Sequence, residues 1–363
     1  SGSGLSRATA VAAAGDTSPS QYGAYVLFGI PSENKAVLAH TDPSGFTRDI
    51  SVDSAGNPIL TGSFNSDALY GHSVAMTSGS DGYLHFVIGA PNEVRKTNFT
   101  GSMSHYYVST VPSSSVITFT TASLADDAGT KNFGTDVDIT AGASNTAGDF
   151  VHYTSCGNIT GGNVSVKAVV YSAAGGTTPT GFSVLAMSSS SGVNRIAISS
   201  GSTDVYVGLT STHVSGAATS GLTILKSTQP AGTLTFTAHE ALLSADPHSI
   251  SATSPAQFAG PNTATYADNC FFTVGQSDDN FFAMQNIYRF NPSTTGAYRL
   301  YSTARVNAFN AGYSTGFGAF NGSVIYDGSS YTYDLAIAAP FRASEDIPYS
   351  QQTETGQPKQ IAL

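Results

Sequence analysis

Tyr70-Gly71-His72-Ser73-Val74-Ala75-Met76 runs through Ser80-Asp81-Gly82-Tyr83 into Leu84-His85-Phe86-Val87-Ile88-Gly89-Ala90-Pro91. Two short apolar runs flank a turn of Ser, Asp and Gly, and neither shows the three-to-four spacing of an amphipathic helix. The stretch predicts one strand over Ser73 to Met76 and another over Leu84 to Ile88, with Pro91 closing the second.

The same texture extends in both directions. Upstream, strands are predicted over Tyr25 to Ile30, Ala36 to His40 and Thr47 to Val52. Downstream, pieces such as Tyr106 to Ser109, Phe150 to Thr154, Val164 to Tyr171, Phe182 to Met187, Arg195 to Ser199 and Val205 to Leu209 alternate apolar and polar residues between Gly, Asn, Asp and Ser clusters. Leu222 to Leu225, Thr233 to Ala238, Phe271 to Val274, Phe281 to Phe290, Tyr298 to Val306, Ser323 to Tyr326 and Leu335 to Ala338 complete the series. The fold class is all-β. One helix is predicted, over Ser6 to Ala14, where Ser6 stands as an N-cap before an Ala-rich run and Gly15 ends it.

Composition narrows the function classes. The chain has 363 residues, 40% hydrophobic and 10% charged, with 20 Phe and 18 Tyr, enough apolar surface to offset the entropy of ordering. With 24 acidic against 14 basic residues the net charge is −10, which leaves no basic face for direct phosphate binding. No apolar run reaches the length of a membrane span, so no membrane partner is expected, and the first residues lack the basic start and apolar stretch of a signal peptide. Cys156 and Cys270 make neither a disulfide framework nor a zinc site; a single bridge and two thiols both stay open.

Composition also shifts along the chain. Residues 1–49 read as an N-terminal arm, 50–236 as a Ser/Thr/Gly-rich β domain, 237–341 as a second, aromatic-rich β section, and 342–363 as a polar, extended C-terminal tail. Polar ends of this kind are expected to be held by neighbouring molecules.

The motif search yields no catalytic, cofactor or metal residues. Gly312-Tyr313-Ser314-Thr315-Gly316 matches the G-x-S-x-G pattern, but the helix that the nucleophile elbow requires does not follow. His152 and Cys156 stand four apart on one predicted strand, about 13 Å along it and too far to share a metal. Asp126-Asp127 and Asp278-Asp279 read first as solvated turn residues, and as the lesser alternative offer oxygen ligands of the kind Ca²⁺ takes at subunit interfaces. Asn98, Asn158, Asn163 and Asn321 open Asn-x-Ser/Thr sequons, which a chain this rich in Ser and Thr produces by chance. The expectation is a protein that is not an enzyme and carries no cofactor.

Two family resemblances follow. Phe46 to Val52, Gly71 to Ile88, Phe150 to Gly157 with Gly161 to Val166, and Asn291-Pro292-Ser293-Thr294-Thr295-Gly296-Ala297-Tyr298 resemble, in order and texture, the jelly-roll capsid proteins of small icosahedral, nodavirus-like viruses. That resemblance implies a jelly-roll β-sandwich shell domain over 50–236, with the second section as projection or shell completion. It implies a structural virion protein that self-assembles from many copies into an icosahedral shell enclosing the genome. Nucleic acid would be bound only through a basic arm lying before Ser1, and a host receptor is implied without being named. The alternative rests on Tyr70-Gly71, Ser73-Val74-Ala75, Asp81-Gly82 and Gly89-Ala90-Pro91, echoed by Phe317-Gly318, Asp327-Gly328 and Asp334 to Pro340, and more weakly by Phe133-Gly134 and Tyr25 to Pro31. These segments resemble FG-GAP repeats, the blades of integrin-like propellers. They imply a six- or seven-bladed β-propeller acting as an extracellular ligand-binding or adhesion module. The acidic calcium loop of that family is absent from every candidate blade.

Overall fold

The structure, a computed structural model, describes the backbone of residues 10–15, 24–42, 44–62, 65–78, 83–96, 99–109, 120–124 and 130–141, and of the later strands given below; side chains are described mainly up to residue 140. Strands β1 (Ala10–Gly15), β2 (Ala24–Ile30), β3 (Lys35–Thr41) and β4 (Thr47–Asp49) form a first sheet in chain order. A second sheet holds β5 (Ser73–Ser78), β6 (Tyr83–Lys96), β7 (Phe99–Ser109) and β8 (Thr120–Leu124), again in order. The third combines β10 (Val137–Ala141), β11 (Phe150–Ile159), β12 (Asn163–Ser172) and β13 (Phe182–Ser188), with β9 (Thr130–Lys131) paired to β11.

Three further sheets repeat the plan. The fourth runs β14 (Val193–Ser200), β15 (Val205–Ser211), β16 (Gly221–Ser227) and β17 (Thr237–Leu243). The fifth runs β18 (Pro247–Thr253), β19 (Cys270–Ser277), β20 (Phe282–Phe290) and β21 (Ala297–Ser302), with β22 (Val306–Asn307) on β20. The sixth holds β23 (Phe320–Tyr326), β24 (Tyr331–Ala338) and β25 (Pro358–Ala362). The chain divides into two compact units, Ser1–Ser188 with Ala231–Leu234 and Ser189–Pro230 with Thr235–Leu363. Sheets one to three belong to the first unit and sheets four to six to the second.

The all-β expectation stands, and the jelly-roll arrangement does not. Every described strand pairing is antiparallel and, β9 and β22 apart, joins strands that are consecutive in the chain. A jelly roll needs Greek-key returns between distant strands. Here short connections favour the nearest partner, so each sheet closes as a meander. Thr47–Asp49 and Ser73–Ser78, expected as successive strands of one shell, lie in different sheets.

Two other expectations change. The Ala-rich run predicted as a helix is β1, whose Ala10 to Gly15 pair with Gly29 to Ala24 of β2. Ladder bonding and the apolar layer next to it override a modest local helix preference. The segment 1–49, expected as an arm, contains the whole first sheet, and β25 from the expected tail pairs with β24 of its own chain.

Within the first unit the sheets stack face to face. Tyr25 and Leu27 of β2, Ala36 and Leu38 of β3, Met76 of β5 and Leu84, Phe86 and Ile88 of β6 form one buried layer between the first and second sheets. Ala75, Val87 and Met103 meet Phe133, Val137 and Ile139 in another, between the second and third. Successive residues of β6 thus serve opposite layers, which explains its unbroken apolar run. The first strands of neighbouring sheets approach one another: β1 meets β5 and β5 meets β10, while in the second unit β14 meets β18 and β18 meets β23.

Glycines set the spacing of this stack. A Cβ on Gly29 of β2 would run into the Gly71 carbonyl, and one on Gly89 of β6 into the Gly134 carbonyl. Gly71 and Gly134 precede β5 and β10 with φ of +89° and +90°. The aromatic-Gly pairs Tyr70-Gly71 and Phe133-Gly134 therefore each dock on the glycine of the preceding sheet's second strand. Gly157, Gly208 and Gly275 stand within the second strands of the next three sheets.

Two hairpin turns share one construction. Asp42 and Asp53 each accept, through Oδ1, the amides two and four residues on: Ser44 and Phe46 at 2.9 and 3.0 Å, Ala55 and Asn57 both at 2.8 Å. Gly45 and Gly56 follow at φ +84° and +82°. These local bonds are what short Asp side chains supply in turns.

Candidate functional site

The site builds around a bulge at the end of β6. Between the pairs Ala90↔Ser102 and Val94↔Thr100 the register shifts, and Pro91, Asn92 and Glu93 lie opposite Gly101 alone. Pro91 has no N–H to give a ladder, so the interruption falls where it costs least. The bulge turns Glu93 inward: its carboxylate is 3% exposed and accepts a hydrogen bond from the Ser102 hydroxyl. Gly101, at φ +103°, bridges to Phe133 of the segment leading into the third sheet.

Asparagines tie the neighbouring connector to this bulge. Asn34, in the left-handed region at φ 54°, accepts the Tyr70 amide at 2.9 Å and donates to the carbonyls of Gly62 and Asn65 at 3.3 and 3.1 Å. Asn is among the few residues with a side chain that occupy this conformation readily. Asn65 accepts the Val94 amide at 3.0 Å and donates to the Asn92 carbonyl at 3.3 Å. The link between the first two sheets is thereby fixed to both.

Beneath the asparagines, the Tyr70 and Tyr106 hydroxyls meet at 2.7 Å. Burial, then the Tyr106 ring hydroxyl, and to a lesser degree Glu93, hold the Tyr70 hydroxyl well above its usual pKa of 10.0. It stays protonated at any physiological pH and serves as donor or acceptor. Next door, Ser73 donates to the Gly134 carbonyl at 2.8 Å and Ser155 accepts the Gly134 amide at 3.0 Å. The arrangement combines one buried carboxylate, two tyrosine hydroxyls and two asparagine amides, each engaged with a partner in the protein.

A second polar cluster lies on the other face of β6 and β7. His85 and His105 are both fully buried, and His85 Nδ1 is 3.2 Å from His105 Nε2. Burial first, then the neighbouring His85, hold His105 well below the usual histidine pKa of 6.5.

The residues weighed from sequence fall elsewhere. Ser314, Asp126-Asp127, Asp278-Asp279, Asn98, Phe317-Gly318 and Asp327-Gly328 lie outside the described residues. His152, Cys156 and Asn158 stand on β11, Asn163 opens β12, Cys270 opens β19 and Asn321 is in β23. Glu93, Ser102, Asn34, Asn65 and the His85–His105 pair escaped sequence reading. The one available signal was Pro91-Asn92-Glu93 interrupting a strand directly after Gly-Ala. Among the described residues no group of three or more His, Cys, Asp or Glu comes together, and no helix is long and apolar enough to cross a membrane.

No protein-family model and no curated protein matches the sequence. Among solved structures the chain is similar to the α-L-arabinanase of Penicillium chrysogenum, complexed with arabinobiose, at 9% identity over 97% of this chain and 93% of that one, TM-score 0.48. It is also similar to the fucose-specific lectin of Aleuria aurantia at 12% identity over 92% and 88%, TM-score 0.47. A third is the haemagglutinin-neuraminidase of parainfluenza virus 5, at 8% identity over 97% and 89%, TM-score 0.44. These findings correct two expectations. The icosahedral, self-assembling virion reading is withdrawn with its jelly roll, since the described sheets are meanders of consecutive strands, and the structures named above are not capsid proteins. The expectation of a non-enzyme is withdrawn as well, since most of these structures are enzymes by name. A motif search reads only residues close together in sequence, and a site assembled from distant ones would leave it no pattern.

Proposed function

We propose that the chain is a β-propeller of the FG-GAP kind, with its six sheets as blades, and that it binds neutral, hydroxyl-rich ligands of the carbohydrate class at the loop end carrying Glu93, Asn34 and Asn65. The observation that carries the propeller reading is the repeated docking of an aromatic-Gly pair on the preceding sheet's Gly-Ala-Pro or Gly-Ile-Pro strand end, at Gly71 on Gly29 and at Gly134 on Gly89. Sheets built as consecutive meanders, with first strand beside first strand, support it further. Low overall charge supports the ligand class, because a chain with 10% charged residues has few groups for ion pairing and recognises rather by directional hydrogen bonds and aromatic contact.

The test is a panel of neutral and acidic oligosaccharides presented to the full chain, with binding and release of reducing sugar read in parallel. Binding of a neutral glycan that weakens at least tenfold in N65A supports the reading, whether or not turnover accompanies it. Binding of none, or of acidic glycans alone, overturns the ligand class. Small-angle scattering that fits an elongated body rather than a compact disc overturns the propeller.

A further inference from the structure

The second sheet buries two imidazoles side by side, His85 of β6 and His105 of β7. The register pairs His85 with Tyr107 and Val87 with His105, so the histidines are diagonal neighbours across β6 and β7. Their rings stack with centroids 5.4 Å apart and planes at 21°. In the Nδ1–Nε2 bond one nitrogen donates its hydrogen and the other accepts it. A proton placed on the accepting nitrogen abolishes the acceptor, and a charge on each ring sets two cations at stacking distance in a fully buried site.

The groups described around the pair include a hydroxyl, tyrosine rings and aliphatic side chains. Thr77 of β5 lies opposite His85. The Tyr83 ring sits 6.4 Å from His85, and the Tyr107 ring 5.8 Å from His85 and 6.4 Å from His105. From the third sheet, β10 sends Val137 and Ile139 into the shared apolar layer, while its acids Asp136 and Asp138 alternate with them. β8, on the far side of β7, carries no charged residue, and β9 carries Lys131, itself a cation.

We infer that the His85–His105 pair is an acid-sensitive latch: neutral, it lets the second and third sheets close on each other, and on protonation in mildly acidic surroundings it forces them apart. The depressed affinity of His105 for protons agrees in sign. A base that is harder to protonate folded than unfolded contributes stability above the ordinary histidine pKa, and that contribution is lost as pH falls below it.

The experiment follows thermal unfolding of the full chain from pH 7.5 to pH 5.0, beside the paired variant His85→Leu/His105→Phe. The wild type should lose several degrees of Tm over this range, with a slope equivalent to about one proton taken up on unfolding. The variant should lose that slope. Hydrogen exchange of the wild type alone, corrected for intrinsic rates, provides a second reading that needs no variant. Exchange through β6, β7 and β10 should rise at pH 5.5 before exchange through β2 and β3. An unchanged wild-type Tm, an equal slope in a folded variant, or a rise that is uniform over the first and second sheets would overturn the inference.

Discussion

At Gly71 and at Gly45 the backbone adopts nearly the same left-handed turn, at φ +89° and +84°, yet a methyl group meets different fates there. At Gly45 the added Cβ has nothing within 4 Å, so Gly45→Ala costs only the conformational strain, about 1 kcal/mol. At Gly71 it lies 2.6 Å from the Lys35 carbonyl and 3.1 Å from Gly29 Cα, both backbone atoms that cannot swing away. Gly71→Ala should therefore destabilise by at least about 3 kcal/mol in denaturant unfolding, since strain and collision combine. Equal costs at the two positions would deny that the glycine contact sets the sheet spacing. The turn aspartates make a separate prediction. The Ser44 hydroxyl and Phe46 amide hold Asp42, and the Asn57 side chain and amide hold Asp53, below the usual 3.8. Their contribution is present above that value and is lost as pH falls through the lowered one. Asp53→Asn should flatten the acid limb of the stability curve below about pH 4 and lower the neutral plateau by the contribution the ionised carboxylate made.

Strand β6 shows how much an element can reveal before its structure is seen. Its apolar run marks it as buried on both faces, and Phe86→Ala, at a fully buried position, should cost about 3–5 kcal/mol in chemical unfolding. Phe46→Ser, at a side chain 64% exposed, should stay within about 0.5 kcal/mol of wild type. Alternation and turn residues likewise located β2, β3, β5, β11, β15 and β20, because those strands carry enough Val, Ile, Leu, Phe or Tyr to register. β1, β18 and β25 went unread: one is nearly all Ala, one opens Pro-His-Ser, and one is Pro-Lys-Gln-Ile-Ala. In each, pairing with a neighbour supplies what composition lacks. The candidate site was scarcely legible at all. Asn34, Asn65 and Glu93 are 28 to 59 residues apart, and only the bulge and the left-handed Asn34 bring their hydrogen bonds together.

For the molecule as a whole, a sheet that borrows its last strand from the chain terminus makes a clear prediction. Deleting residues 342–363 removes β25, leaves Asp334 to Ala338 of β24 without that partner, and should lower the Tm of the full chain and broaden its transition. A truncated chain that melts like the intact one would separate the terminus from the fold. Purified protein should elute as a monomer near 37.2 kDa if the blades close on themselves. Consecutive pairing has one more consequence. Each sheet draws on an uninterrupted stretch of polypeptide, and no described strand pairing spans more than 19 intervening residues. During synthesis, the first sheet has all its strands once residue 49 clears the ribosome, long before the sixth is translated. The growing chain can assemble sheet upon sheet as it emerges, and its nascent edges spend little time exposed to other polypeptides.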